Sequence, residues 1–226
     1  MKVTWIGQGG LLLESDTVRV IVDPYLSDYC EKVKPTSYRR CPIDPKYLDI
    51  TPDVLIFTHD HNDHFDPETA PVFLGKTKPF TVLCPASVWK TARAHGNGHN
   101  YVEFDPHTQW TQGDLRFYAV KATHSDPYAI GVIIEEMNTG KKYYITGDTL
   151  YNTDVIADLP KDIYAVFLPI NGVGNNMNAE DAARFAEDIG AQYAVPIHFG
   201  MFDELSPEIF QCKNRVIPTL YKEINF

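Results

Sequence analysis

The stretch Thr58-His59-Asp60-His61-Asn62-Asp63-His64-Phe65-Asp66 follows directly on the apolar run Val54-Leu55-Ile56-Phe57. An apolar run that ends in a short polar loop is typical of a buried strand that delivers side chains to one point from a rigid backbone. The loop has the pattern His-x-His-x-Asp-His and holds three of the eight histidines of the chain. Imidazole nitrogen and carboxylate oxygen at this density favour Zn²⁺, Mn²⁺ or Fe over a solvated surface loop. The stretch therefore predicts a metal site.

Three later segments share this layout, since each is a short run of β-branched or aromatic residues that leads to a metal-binding residue type. The residues that follow these runs are His124, Asp148 and His198. A single histidine at a strand end is more often a hydrogen-bonded structural residue than a ligand. Four segments of one layout instead indicate strands that stop at one edge of a sheet, where their side chains meet.

The composition favours one soluble enzyme domain over residues 1–226. Of these 226 residues 44% are hydrophobic, which is enough for one sizeable core. The formal net charge is -10, and the chain has no basic tail. A polyanion would be repelled by this average field, so nucleic acid is disfavoured as a partner.

The cysteines and the N-terminal residues bear on the cellular compartment. Cys30, Cys41, Cys84 and Cys212 form no C-x-x-C pair, so we interpret them as free thiols in a reducing cytoplasm, although the spacing leaves a Cys30–Cys41 link open. Residues 1–7 predict a strand rather than a signal peptide. No run approaches the roughly 18 apolar residues that span a bilayer, so we expect no membrane association.

The hydrophobic pattern predicts strands before each candidate ligand and helices between the strands. Strands are predicted at 2–7, 10–14, 17–23, 53–58, 80–84, 102–104, 109–111, 115–123, 129–137, 141–146, 163–169 and 192–197. Helices are predicted from Asp66, over 86–94, after an N-cap at Asn178 and, as a short one, at 206–211. The pattern by itself shows a mixed α and β class. Two facing sheets with the helices outside would bury both the strands and the amphipathic helices.

The order of the motifs resembles that of the metallo-β-lactamase superfamily, because His-x-His-x-Asp-His at 59–64 is followed by His124, Gly147-Asp148 and His198. The resemblance implies an α+β fold, the αββα sandwich of two facing β-sheets flanked by helices. A closer likeness is to the L-ascorbate-6-phosphate lactonase-like group. It rests on Asp23-Pro24-Tyr25-Leu26-Ser27-Asp28, Asp63-His64-Phe65-Asp66-Pro67-Glu68-Thr69, Gly147-Asp148-Thr149, Leu168-Pro169-Ile170-Asn171-Gly172, Asn176-Met177-Asn178 and Pro196-Ile197-His198-Phe199-Gly200-Met201-Phe202.

The resemblance also implies which residues bind metal. Two divalent ions would be held by seven side chains, with Asp148 bridging the sets His59, His61, His124 and Asp63, His64, His198. The lactonase-like group favours Mn²⁺ and the wider superfamily favours Zn²⁺. Asp63 would also orient the bridging water or accept its proton. The alternative for Asp63 is a carboxylate that only orients a histidine.

Weaker features bear on the substrate. Residues 31–46 carry five basic side chains against two acidic ones and would fold over the mouth of the site, where Arg39 and Arg40 would bind phosphate. An ordinary solvated loop is the alternative. The loop that contains Asn176 follows a strand and precedes a capped helix, so it would bind an anion. Phe202 would form a pocket wall or part of the core.

These features together predict a metal-dependent hydrolase. A metal-bridged hydroxide would open a lactone or ester of a small sugar-like molecule, with or without a phosphate, and His198 would assist. A metal-dependent phosphodiesterase is the alternative within the same class, since the chemistry suits carbon or phosphorus alike. A non-catalytic metal-binding protein, such as a sensor, is the alternative from another class. The resemblance is also compatible with a homo-oligomer.

Overall fold

The strands of the N-terminal half form one sheet in the computed structural model, which describes residues 1–96 and 98–226. They lie in chain order across this first sheet. They are β1 (Lys2–Gly7), β2 (Gly10–Glu14), β3 (Arg19–Val22), β4 (Val54–Ile56), β5 (Thr81–Cys84) and β6 (Asn100–Glu103). Strands β1 to β3 pair antiparallel, and β3 to β6 pair parallel.

The strands of the C-terminal half form a second sheet, also in chain order. They are β7 (Gln109–Gln112), β8 (Leu115–Lys121), β9 (Ile130–Glu136), β10 (Lys141–Ile145), β11 (Ile163–Pro169) and β12 (Tyr193–Ile197). Strands β7 to β10 pair antiparallel, and β10 to β12 pair parallel. Each sheet is therefore mixed, with two antiparallel and three parallel pairings in the first and three antiparallel and two parallel pairings in the second.

Helices lie between the strands of both halves. They are α1 (Tyr29–Val33), α2 (Lys46–Asp49), α3 (Thr69–Leu74), α4 (Ala86–His95), α5 (Thr153–Asp158) and α6 (Ala179–Asp188), with a 3₁₀ turn at Pro207–Ile209. The sequence pattern does not predict α1, α2 and α5, because helices of four to six residues are too short to show a 3.6-residue period. The helix predicted from Asp66 begins at Thr69, since the Asp66 carboxylate accepts from the Glu68 backbone and the Thr69 hydroxyl and closes a turn ahead of it.

The alternation of β4 shows how the layers form. Val54 and Ile56 face the core between the two sheets, whereas Leu55 and Phe57 pack with α3 and α4 on the outer face. All four side chains are fully buried, and each such burial contributes roughly 1.5–3 kcal/mol. The predicted αββα sandwich is thereby confirmed.

The strand directions decide where the functional residues meet. Strands β1, β3 and β4 run in one direction in the first sheet, and β8, β10, β11 and β12 run in one direction in the second. The carboxyl ends of parallel strands lie at the same edge of a sheet, where open α/β sheets form their binding crevices. The residues that follow these ends are Gln8, Asp23, His59, His124, Asp148, Asn171 and His198.

The structure also bears on the cysteines and on membrane spans. All four cysteines are free, so no link joins Cys30 to Cys41. Within residues 1–96 and 98–226, no helix has the length and apolar character that crossing a bilayer requires.

Candidate metal centre

The first cluster of candidate ligands gathers His59, His61 and His124 around Asp148, with one nitrogen or oxygen atom of each within 4.8 Å of the others. His59 is fully buried at the end of β4. Its Nδ1 lies 3.0 Å from Thr58 Oγ1, while its Nε2 makes no hydrogen bond to any described residue. His61 Nδ1 and His124 Nε2 are 3.1 Å apart. Ring nitrogens so close together and facing one carboxylate suit a shared cation.

The second cluster consists of Asp63, His64 and His198. His198 Nε2 lies 3.2 Å from Asp63 Oδ2, and the Nε2 atoms of His64 and His198 each lie 3.3 Å from an oxygen of Asp148. The His64 contact falls on Oδ1 and the His198 contact on Oδ2. The second cluster is therefore also adjacent to Asp148.

Asp148 lies between the two clusters. Its Oδ2 is 4.0 Å from the Nε2 atoms of both His59 and His124, which belong to the first cluster. Asn176 Nδ2 donates to the same oxygen at 2.8 Å. Asp148 is only 5% exposed, so most of its contacts are to protein groups. The structure thus brings together all seven side chains that the sequence predicted as ligands.

Asp23 also lies at this site, although the sequence pattern did not single it out as a ligand or support. It follows β3, and its Oδ2 accepts from His64 Nδ1 at 2.8 Å while its Oδ1 accepts from the Thr58 backbone N–H at 2.8 Å. Because the carboxylate only accepts, His64 carries a proton on Nδ1 and leaves Nε2 free as a ligand. An acidic residue directly after an apolar strand is the same signal that identified Asp148, so the sequence contained it.

Gln8 is a second residue that the sequence analysis missed. It lies in the turn between β1 and β2, and its side-chain amide donates to Asp63 Oδ2 at 2.8 Å. Its backbone carbonyl accepts from the His198 N–H at 3.1 Å. The next residue, Gly9, packs so close to His64 that a Cβ there would lie 2.6 Å from the ring. The glycine-rich sequence around Gln8 indicated only a turn, which carries no sign of such contacts.

Burial and neighbouring charge set the protonation of the cluster residues. Burial lowers the pKa of His124, and burial with the adjacent His64 holds the pKa of His59 well below its usual value. Burial also disfavours protonation of His198, but the Asp148 and Asp63 carboxylates outweigh it and raise the pKa of His198 to about 10.

Burial and neighbouring charge also set the protonation of His64 and Asp148. Burial disfavours protonated His64 as well, yet Asp148 and Asp23 raise its pKa well above the usual value. Burial works against ionised Asp148, but the His198 and His64 imidazoles hold its pKa well below the usual range. The carboxylates are therefore ionised and ready to bind a cation, which would displace the protons of His64 and His198.

A cleft of about 380 Å³ opens onto both clusters. Lys34 and Ser37 line one wall, and Asn171 and Asn176 line another. Lys34 follows α1 and is exposed, and within the described residues it forms no ion pair. A cationic group at the mouth of a cleft whose floor is formed by carboxylates and imidazoles suits an anionic ligand.

Two of the four predicted substrate-binding residues line this cleft and two do not. Asn176 and Phe202 are in its walls. Arg39 instead donates to the backbone carbonyls of Tyr25 at 2.6 Å and Ser27 at 3.1 Å, and its side chain is only 4% exposed. Arg40 is exposed and stacks on Tyr38 at 4.2 Å.

Arg39 and Arg40, which were expected to bind substrate, thus lie outside the lining of this cleft. The buried guanidinium of Arg39 donates through Nε and Nη2 to carbonyl oxygens and lies 3.5 Å from the Asp28 carboxylate, so it anchors the segment 31–46 rather than facing the cleft. Two other basic residues of this segment pair with acidic ones, Lys32 with Glu68 and Lys46 with Asp44. The net charge of a segment does not specify which of its side chains faces a site. In this segment the basic residue that lines the cleft is Lys34.

Comparisons with known proteins agree on the family and the fold of this chain. Residues 18–199 match the family described as a β-lactamase superfamily domain. A UPF0173 metal-dependent hydrolase of Staphylococcus epidermidis is 31% identical over 232 residues, covering 93% of this chain and 92% of that protein. A UPF0173 protein of Pyrococcus furiosus is 25% identical over 227 residues, covering 99% and 96%. The metallo hydrolase Igni18 of Ignicoccus hospitalis shares the fold, with a TM-score of 0.76, 19% identity and coverage of 100% and 97% of the two chains.

Proposed function

The chain belongs to the β-lactamase superfamily, and we propose that it is a metal-dependent hydrolase that opens a lactone or ester of a small anionic molecule. The observation that carries this proposal is the pair of His and Asp clusters on either side of Asp148. The relatives named as metal-dependent hydrolases support it. The resemblance to the lactonase-like group remains a prediction. It is the reason for proposing a lactone as the substrate.

The donor atoms fit a pair of divalent cations. His59 Nε2 and His64 Nε2 are buried and have no hydrogen-bond partner among the described residues. An unpaired buried nitrogen costs about 1–3 kcal/mol, and coordination of a cation removes that cost. Imidazole and carboxylate ligands suit Zn²⁺ and Mn²⁺ alike, so we propose two ions of either element.

The proposed reaction is the attack of water on a carbonyl group. Divalent cations held by the two clusters would lower the pKa of a water molecule and polarise the carbonyl under attack. Asp63 would accept a proton from that water, because its Oδ2 faces the cluster and is held by Gln8. Burial opposes its ionised form, but His64 keeps the pKa of Asp63 below its usual range, so the carboxylate is ionised.

His198 completes the proposed set of catalytic residues. It lines the same cleft as Asp63 and contacts both Asp63 and Asp148. Besides acting as a ligand, it would lie beside the oxygen that gains negative charge during the attack. Fixed dipoles and charges directed at such an oxygen are a large source of rate enhancement.

Lys34 and Phe202 define the proposed substrate. The Lys34 ammonium would attract a carboxylate or phosphate at the cleft mouth, and Phe202 would contact the carbon skeleton. Phe202 packs edge-on against the buried ring of Tyr25 at 5.5 Å, so this wall is held by the core. An anion beside two cations would equally suit a phosphodiester, which keeps a phosphodiesterase as the second candidate.

Elemental analysis of the purified protein, beside a hydrolysis panel, tests the proposal. The panel contains lactones, carboxylate esters and phosphodiesters, each assayed after reconstitution with Mn²⁺ or Zn²⁺. We expect close to two ions per chain together with turnover of a lactone or ester. Turnover of phosphodiesters alone would favour the second candidate. Bound metal with no turnover of any compound would favour a non-catalytic metal-binding protein.

Replacement of Asp63 tests its role as proton acceptor. We expect Asp63→Asn to lower kcat by about 10²–10⁴-fold, the usual contribution of a general base, while the fold is retained. Asp60→Asn is the matched control, because Asp60 is an exposed acid of the same loop. Equal kcat values for the two variants would contradict the assignment.

Replacement of Lys34 tests the anionic substrate. Removal of one exposed cation should raise KM for a phosphorylated or carboxylated substrate several-fold and leave KM for a neutral analogue unchanged, because exposed ion pairs contribute about 0.2–1 kcal/mol. Lys34→Gln is compared with Lys32→Gln, whose ammonium pairs with Glu68 outside the cleft. The same rise for charged and neutral substrates would refute an electrostatic role.

A further inference from the structure

The turn between β1 and β2 brings one side chain into contact with two residues of the second cluster. Gln8 is 2% exposed, and its backbone has a φ of 51°, in the left-handed region. A residue other than glycine that keeps this backbone conformation in a buried turn is held there by the contacts around it. Those contacts are to Asp63 and His198.

The Gln8 amide nitrogen joins the two residues. It donates to Asp63 Oδ2 at 2.8 Å and lies 3.0 Å and 3.2 Å from the Nε2 and Nδ1 atoms of His198. Asp63 can only accept, so the Asp63 contact fixes the amide with its nitrogen toward the cluster. The same nitrogen therefore restrains the carboxylate and one face of the imidazole.

The backbone of Gln8 adds a third restraint. Its carbonyl oxygen accepts both the His198 backbone N–H at 3.1 Å and Trp5 Nε1 at 2.9 Å. His198 itself has a φ of 59°, so the two left-handed residues face each other across the junction of the two sheets. Trp5 in turn stacks on Phe199, which follows His198. The position of His198 thus depends on the β1–β2 turn.

We propose that Gln8 is a positioning residue that sets the affinity of the second cluster for its cation. This inference rests on the proposed metal centre. The side chain holds Asp63 and His198 at the separation that a shared cation needs, so the entropy of ordering them is lost on folding rather than on metal binding. Within the described residues the Gln8 side chain makes no hydrogen bond to the first cluster, so the affinity of that cluster should not depend on it.

The test substitutes Gln8→Met, which keeps an unbranched side chain of similar length and removes the amide. Titration of the metal-free protein with Zn²⁺ against a competing chelator measures two affinities. We expect the dissociation constant of one equivalent to rise about 10–100-fold, the usual effect of losing a group that orients a ligand, and the other to stay within about twofold. Gln112→Met is the matched control, because Gln112 is a half-buried glutamine on β7 whose amide donates to the Asp53 carbonyl.

A second readout needs no metal. Nitrogen-15 NMR spectra of the metal-free protein report the ring environment of each histidine, and Gln8→Met should shift the resonances of His198 but leave those of His61 in place. Unchanged His198 resonances, or an equal loss of both metal affinities, would overturn the inference. If the wild-type protein bound no metal, the proposed function and the effect of Gln8 on metal affinity would both be contradicted. A His198 shift in Gln8→Met would then support only the contact between Gln8 and His198.

Discussion

The two clusters of candidate ligands differ in the groups that hydrogen-bond to their histidines. In the second cluster, His64 donates to the Asp23 carboxylate at 2.8 Å, and both side chains are only 1% exposed. In the first cluster, the corresponding contact of His61 is the hydroxyl of Ser125 at 3.3 Å, in an exposed part of the chain. A buried, charge-assisted hydrogen bond is shorter and about twice as strong as one to a neutral, solvated hydroxyl.

The difference indicates how the two cation positions would behave. The second cluster is fixed in advance by a carboxylate and an amide, so we expect tighter and more selective binding there. The first cluster contains His61, a candidate ligand that is half-buried at the cleft, so we expect it to adjust to a substrate oxygen or to another metal. The second cluster would then retain its metal, while the first would remain able to adjust when substrate binds.

The largest expected effect comes from removing the residue that the clusters share. Asp148→Asn keeps the shape of the side chain but removes its negative charge, so both cation positions should weaken together. We expect less than one ion per chain after dialysis and a fall in kcat/KM of about 10³-fold, equivalent to several kcal/mol of lost electrostatic stabilisation. Elemental analysis and steady-state kinetics measure both quantities. Retention of two ions would show that Asp148 bridges nothing.

An intermediate effect is expected from Asp23, which bonds directly to His64 of the second cluster and reaches His59 of the first only through the Thr58 hydroxyl. Asp23→Asn weakens the hydrogen bond to His64 Nδ1 and should raise one of the two metal dissociation constants about 10–100-fold. Chelator competition resolves the two constants. Asp53→Asn serves as the comparison, because Asp53 also accepts a backbone N–H beside a strand but lies away from the cleft. If both constants rose equally, the distinction between the clusters would fail.

The smallest effect is expected from Ser125, on the exposed side of the first cluster. Its hydroxyl lies at the long end of hydrogen-bond distance from His61 Nε2. Ser125→Ala should therefore change either metal dissociation constant by no more than about twofold, since a typical intramolecular hydrogen bond contributes only about 0.5–1.5 kcal/mol and this one is solvated. A tenfold loss would mean that the first cluster is as firmly supported as the second.

Much of the fold could be predicted from local sequence signals. The local pattern predicted most of the strands and a mixed α and β class, and the resemblance to the metallo-β-lactamase superfamily implied the αββα layers. The helices α1, α2 and α5 could not be predicted in the same way. A window of four to six residues contains no periodic signal, and α5 has only a local start signal, the N-cap Asn152, whose side chain accepts from the Asp154 N–H.

The basic segment 31–46 shows a different limit of sequence reasoning. Five cationic side chains indicated an anion site, and Arg39 was expected to contact substrate. In the fold, Arg39 is enclosed by the carbonyls of Tyr25 and Ser27, while Lys34 lines the cleft. Which side chain faces inward depends on how the backbone turns after α1, and composition does not encode that direction.

The sequence by itself determined which residue types end the strands and hence the chemistry available at one sheet edge. His59, His124, Asp148 and His198 are recognisable because each follows an apolar run, and a strand end is a local property. The tertiary structure alone decided which atoms meet there. Gln8 contacts His198 across 190 positions of sequence, and that contact depends on the packing of one sheet against the other rather than on any motif around either residue.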